Sequence, residues 1–237
     1  MASRAESLWR HPLVEGLAVL VGILIAFGLE AWWQDRSDEA AERTMLLALS
    51  SEVEDARAFF VSRDEALTAD IDRADEIRRA LSSEAALAIP DDSVNALAMG
   101  LGPISVVVPP RAALDDLISS GGIGRVRSAR LRLAVAAYVQ ALESDRRAQD
   151  AAVDLWLTRV APYRYSHSTL AVVSLPPLPD VPVSVDRDAY VGAREYINLL
   201  GARILRSRDV RTTHEAARLG AEKVLHELNA LGINSAS

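Results

Sequence analysis

The longest run of apolar residues lies near the N-terminus, at positions 13–33, and the central part of this run contains no charged residue. As a helix the run would rise by about 31 Å, at roughly 1.5 Å per residue, which matches the hydrocarbon core of a bilayer. Trp9 precedes it, and Trp32 and Trp33 close it. Because tryptophan is enriched at membrane interfaces, the pattern predicts a transmembrane helix with these three residues as interface anchors.

This run has two other interpretations. A secretory signal peptide would use Arg4 and Arg10 as its basic start and Ala26-Phe27-Gly28 as its cleavage site, but the apolar part is long for that role. A buried core helix is the other alternative. We expect a retained anchor, because length and flanking aromatic residues both favour it.

The predicted anchor has one side of small residues. At about 100° per residue, Ala18, Gly22 and Ala26 share a face, and Glu15 and Glu30 flank it. Small residues at every fourth position let two helix backbones approach closely in lipid. We therefore predict that Glu15, Ala18, Gly22, Ala26 and Glu30 form an interface with a partner helix. The alternative is that the small residues have no partner and that the two glutamates merely reach the interfaces.

A second periodic pattern follows the anchor. There is no proline between Pro12 and Pro90, and apolar residues recur every seven positions, at Leu46, Val53, Phe60, Leu67, Ala74 and Leu81. A second apolar row lies between these positions, at Leu49, Ala56 and Ile77, and Arg63 and Asp70 interrupt it. The stripe predicts a long helix packed within a bundle rather than a free two-stranded coiled coil.

The rest of the chain is predicted to be helical, apart from one proline-rich segment at 162–186. The fold class is therefore all-α, with a transmembrane anchor in residues 1–34 and a helical extramembrane domain in 35–237. Further helices are expected at about 90–99, 111–119, 128–157, 187–206 and 210–231, the first of them capped by an aspartate or a serine. Their candidate core residues are Leu131, Leu133, Ala134, Ala137, Val139, Leu142, Val153, Trp156, Leu157, Leu199, Leu200, Ile204, Leu219, Val224, Leu225 and Leu228.

The charge and the reactive residues of the chain bear on three classes of function, which are nucleic-acid binding, metal binding and catalysis. The net charge of −7 disfavours nucleic acid as a partner, and the chain has no cysteine. His214 begins a sequence like that of a zinc-protease helix, but the second histidine one turn later is missing. We therefore predict a helix-packing or surface role for His214, and neither an enzyme nor a resident cofactor or metal.

The distribution of basic residues bears weakly on orientation. Arg4 and Arg10 precede the anchor, whereas Arg36 and Arg43 follow it among acidic residues. This favours a single-pass protein with its domain outside the cytoplasmic face, which for a bacterial inner membrane is the periplasmic side.

The anchor also resembles a family of uncharacterised bacterial single-pass membrane proteins. In that family an acidic residue opens a span reading Gly-Ile-Leu-Ile-Ala, and a tryptophan and charged residues close it, as in segments 15–27 and 32–36 here. Further similarity lies in Leu117-Ile118-Ser119-Ser120-Gly121, Leu131-Arg132-Leu133 and Tyr138. The resemblance implies a membrane anchor and a helical C-terminal domain, and it implies no activity.

Two functions remain open from the sequence. The first is a non-catalytic accessory subunit of a larger membrane complex, in contact with other subunits and the lipid bilayer. We expect a photosynthetic reaction-centre or light-harvesting complex, or a respiratory assembly, as its host, with pigment or lipid contacts made through a partner. The alternative is a membrane-tethered sensor or ligand-binding module.

Overall fold

A computed structural model describes residues 6–103, 106–169 and 184–234, with the side chains of 6–19 and 21 outside the description. The chain is helical throughout most of this part. The α-helices are α1 (Glu6–Ser82), α2 (Asp91–Met99), α3 (Ala112–Ser119), α4 (Ala129–Leu155), α5 (Ala161–Ser166) and α6 (Arg194–Ala230). A two-residue antiparallel pair, β1 (Ser168–Thr169) with β2 (Ser184–Val185), is the strand structure of the described residues. The all-α class is confirmed.

The predicted long helix is α1, whose 77 residues span about 115 Å. The six apolar residues that recur every seven positions on α1 are all buried, so the bundle prediction is confirmed for this helix. The stripe packs against α6, which runs antiparallel to α1. Residues near Leu49 meet residues near Leu228, and residues near Ile77 meet residues near Leu200.

The bundle is organised around α6, which contacts both α1 and α4. Its largest hydrophobic cluster lies along the middle of α1 and joins these three helices, with Phe60, Leu131 and Val224 as members. A small middle cluster contains Leu67, Ala152 and Val210. The third cluster adds α2 to the far end of the bundle. Helix α1 therefore enters the bundle near residue 42 and runs through all three clusters.

One predicted boundary is wrong, because helices at 187–206 and 210–231 were expected and α6 is a single helix. The residues between them, Ser207 to Asp209, include neither glycine nor proline. Ser207 is buried against Asp70, and Arg206 forms an ion pair with Asp209 at 3.2 Å. These contacts support continuous helix where polar composition had indicated a junction.

Four predicted core residues are exposed, namely Leu133, Ala137, Leu157 and Leu219. Leu133, Ala137 and Leu219 lie on the outer faces of their helices. Leu157 lies in a π-helical turn, Trp156–Val160, that follows α4. A π-turn adds a residue to the helical repeat, so an apolar pattern counted at 3.6 residues per turn misplaces the side chains beyond it.

The proline-rich segment is only partly irregular. Pro162 lies at the start of α5, directly after the π-turn, so the prediction that residues 162–166 are not helical is wrong. Residues 170–183, with most of the prolines, lie outside the described part. The predicted cap of α2 is also wrong. Pro90 precedes the helix, and Asp91 instead forms an ion pair with Arg187 at 2.7 Å.

In the part of the chain that was described, no helix has the combined length and apolarity that crossing a bilayer requires. Positions 13–19 and 21 of the predicted anchor lie outside the described side chains. The transmembrane helix therefore stays a prediction.

Two glycines of α6 give a test of the packing between α4 and α6. A Cβ added at Gly220 would lie 3.3 Å from the Cα of Tyr138, whereas one at Gly201 would meet nothing within 4 Å. We expect Gly201→Ala to raise the free energy of unfolding by about 0.5–1 kcal/mol, because glycine is a poor helix former. Gly220→Ala should instead lower it by about 1 kcal/mol through overpacking. Thermal unfolding followed by circular dichroism compares the two, and equal shifts would contradict the close approach.

Candidate membrane-anchoring and docking site

The first part of α1 projects beyond the bundle. Its large apolar side chains at positions 20 and 22–33 are exposed on every side of the helix, including Leu24 at 61%, Phe27 at 65% and Trp33 at 70%. A helix that is apolar all round is normally buried in a large core or in a membrane. Within the described structure, no core covers this segment.

The residues predicted as a partner interface fall partly within this segment. Gly22, Ala26 and Glu30 are exposed, and a Cβ at Gly22 would meet nothing within 4 Å. Glu15 and Ala18 lie outside the described side chains. The described three therefore form an accessible face, and its pairing with another helix stays a prediction.

Two of the three predicted interface anchors are also exposed. Trp32 and Trp33 are exposed at the end of the apolar segment, and the Arg36 guanidinium lies 5.5 Å from the centre of the Trp32 ring. An aromatic ring beside a cation suits the headgroup level of a bilayer. Trp9 lies outside the described side chains.

An acidic ladder fixes α1 to the bundle just after the apolar segment. Arg127, in the loop before α4, donates to Glu39 at 2.7 Å and to Asp35 at 3.1 Å, and its backbone N–H donates to Glu42 at 3.0 Å. The hydrogen bond to Glu39 raises the pKa of the guanidinium above its ordinary value. The partners are 85 to 92 residues apart in sequence, so no local pattern indicated this contact.

A second contact joins α3 to α1 farther along. The Glu52 carboxylate accepts from the backbone N–H of Ala113 at 2.6 Å and from that of Leu114 at 2.9 Å. Both N–H groups belong to the first turn of α3, where helical acceptors are missing and the helix dipole favours an anion. Glu52 therefore acts as a cap supplied by a different helix.

One histidine is strongly buried among the described side chains, and it has a structural partner. His214 is 2% exposed, its Nδ1 contacts Oδ1 of buried Asp145, and its ring packs edge-on against Phe60. Asp145 also accepts from Gln149 at 2.7 Å. The predicted helix-packing role of His214 is confirmed, although its aspartate partner was not foreseen.

This polar group also holds the connector before α3. The Gln149 side chain accepts from the Val107 N–H at 2.8 Å and donates to the Val107 carbonyl at 3.1 Å. The described part of that connector therefore bonds to a side chain of α4 instead of pairing as a strand.

A second buried polar group surrounds Trp156. The guanidiniums of Arg164 and Arg203 lie 5.3 and 5.4 Å from the centre of its ring. Arg203 is 3% exposed and donates to Asp70 at 2.7 Å. The adjoining cavity measures about 10 Å³, which is room for a single water molecule. This group therefore has the geometry of a structural ion pair.

In the described ranges, no group of three or more histidine and acidic side chains could hold a metal ion.

The chain matches no protein-family profile, and comparison with curated proteins and with solved structures finds no significant match. The resemblance of the anchor to single-pass membrane proteins therefore stays a prediction.

Proposed function

We propose that this protein is a non-catalytic accessory subunit of a larger bacterial membrane complex, tethered by the N-terminal part of α1. The observation that carries the proposal is the exposed apolar segment at 20–33, which projects from the bundle and is covered by none of the residues that the structure describes. Contiguous exposed apolar surface of this kind marks contact with lipid or protein. The tryptophans and Arg36 at its end support a position at the bilayer surface.

The non-catalytic part of the proposal rests on the polar groups. Asp145 accepts a hydrogen bond from Gln149, and Arg203 donates one to Asp70. The exposed contact of Arg127 with Glu39 joins α1 to the loop before α4. Each of these contacts holds parts of the fold together. A ligand-binding module, the alternative, needs a cleft. The cavity beside Trp156 is too small for a ligand, and the two larger grooves beside α1, of about 600 and 300 Å³, lie on the surface, so the exposed apolar segment favours the subunit.

Membrane extraction tests the tether. In bacterial membranes we expect the full chain to stay in the pellet through alkaline carbonate washing. Leu24→Arg should release most of it, because a charge at mid-bilayer costs roughly 3 kcal/mol. Leu47→Arg is the matched control, since Leu47 is an exposed leucine of α1 beyond the apolar segment.

Recovery of the unaltered chain in the carbonate supernatant would overturn the tether. The subunit role is tested separately by native electrophoresis in mild detergent. We expect the chain to migrate with other proteins in one assembly, and migration as a lone chain would overturn that role.

A further inference from the structure

A groove beside α3 opens on the outer face of α1. Its volume is about 600 Å³, and most of its lining residues are small. We call it the docking groove, defined by Ala40, Ala41, Thr44, Met45, Ala48, Ala113 and Asp116. The four small α1 residues are exposed, Met45 is half-buried, and the opposite face of α1 packs into the bundle core.

The docking groove continues the small-residue face of the apolar segment. Eighteen residues are five full helical turns, so residues that far apart lie on the same side of a helix. Ala40 lies five turns after Gly22, and Thr44 lies five turns after Ala26. One side of α1 therefore presents small residues first in the projecting segment and again beside α3, about 27 Å farther along.

The rim of the groove is acidic. A second groove of about 300 Å³ adjoins it and shares Ala41 and Met45 as lining. Together the two grooves are lined by four carboxylates, those of Asp35, Asp38, Glu42 and Asp116, and by two guanidiniums, those of Arg125 and Arg127. Asp38 and Asp116 form no ion pair within the described residues.

We propose that the docking groove receives a helix of another subunit, which runs beside α1 from the bilayer and presents basic residues to the rim. Small residues at 40, 44 and 48 permit close approach of a helix backbone. The excess of carboxylates selects a cationic flank on the partner. A second copy of this chain is disfavoured, since a two-fold contact would set the acidic rim against itself. The inference rests on the proposed function and identifies its partner surface.

Site-specific crosslinking in native membranes tests the groove. Because the chain has no cysteine, a maleimide-benzophenone label can be placed at one residue. Ala48→Cys lies in the groove, and Ala136→Cys, at an alanine of α4 that is also exposed, is the matched control. We expect one discrete adduct from Ala48→Cys alone, with a membrane-spanning protein whose crosslinked peptide carries arginine or lysine.

Charge reversal tests the rim. Asp116→Arg should lower the adduct yield at Ala48→Cys by about tenfold, which corresponds to roughly 1.4 kcal/mol of binding. Asp92→Arg, at an exposed aspartate of α2, should leave the yield unchanged.

Several results would overturn the docking proposal. These are an adduct of twice the chain's own mass, no adduct, equal labelling at Ala136→Cys, a crosslinked peptide without basic residues, or a yield insensitive to Asp116→Arg. Carbonate resistance of the same labelled chain separates the two proposals. If the chain stays in the pellet and the crosslink fails, the docking groove alone is refuted.

Discussion

Replacing Asp70 by alanine is expected to lower the free energy of unfolding by about 3 kcal/mol. The change leaves the Arg203 guanidinium, which is 3% exposed, without the carboxylate that it contacts at 2.7 Å. Breaking a buried ion pair on one side is costly because the remaining charge stays desolvated. Chemical unfolding of the full chain in mild detergent, followed by circular dichroism at 222 nm, measures the loss.

Two variants decide whether the buried charge is the cause. Asp72→Ala removes an exposed aspartate of the same helix and should change stability by less than about 0.5 kcal/mol. Adding Arg203→Met to Asp70→Ala should recover much of the loss, since no charge is then left buried. Equal stabilities for Asp70→Ala and Asp72→Ala would show that the pair contributes nothing.

Asp70 illustrates how far the sequence reaches into this fold. The apolar residues at every seventh position of α1 form a pattern within one segment of sequence, so this pattern predicts both the helix and its buried face. The same pattern shows that Asp70 interrupts an apolar row. It does not show why, because the residue that compensates for the charge lies 133 positions away, on α6. Periodicity identifies a polar residue in the core, whereas pairing depends on how helices associate.

The candidate site divides in the same way. The apolar segment and its tryptophans are read directly from residue order. The contact of Arg127 with three carboxylates, and the groove between α1 and α3, exist only after distant helices pack. The burial predicted for Leu157 is wrong for a local reason, because that prediction assumed 3.6 residues per turn and a π-turn changes the repeat there.

The buried group around His214 supplies the second large effect. We expect Asp145→Ala to lower the free energy of unfolding by about 3 kcal/mol, because the buried Nδ1 of His214 loses its partner. His214 Nε2 is already buried without a hydrogen-bond partner among the described residues, so neither ring nitrogen would be bonded. Chemical unfolding in mild detergent measures the change.

Hydrogen exchange gives the same variant a second readout. Asp145 orients the Gln149 amide that holds Val107, so its loss should speed exchange of the Val107 N–H as well as lower stability. Asp150→Ala is the matched control on α4, because Asp150 forms only an exposed ion pair with Arg146, of a kind worth well under about 1 kcal/mol. If Asp145→Ala behaved like Asp150→Ala in both measurements, the buried group would not be what joins α4, α6 and the connector. A loss of stability with unchanged exchange at Val107 would confine the role of Asp145 to His214.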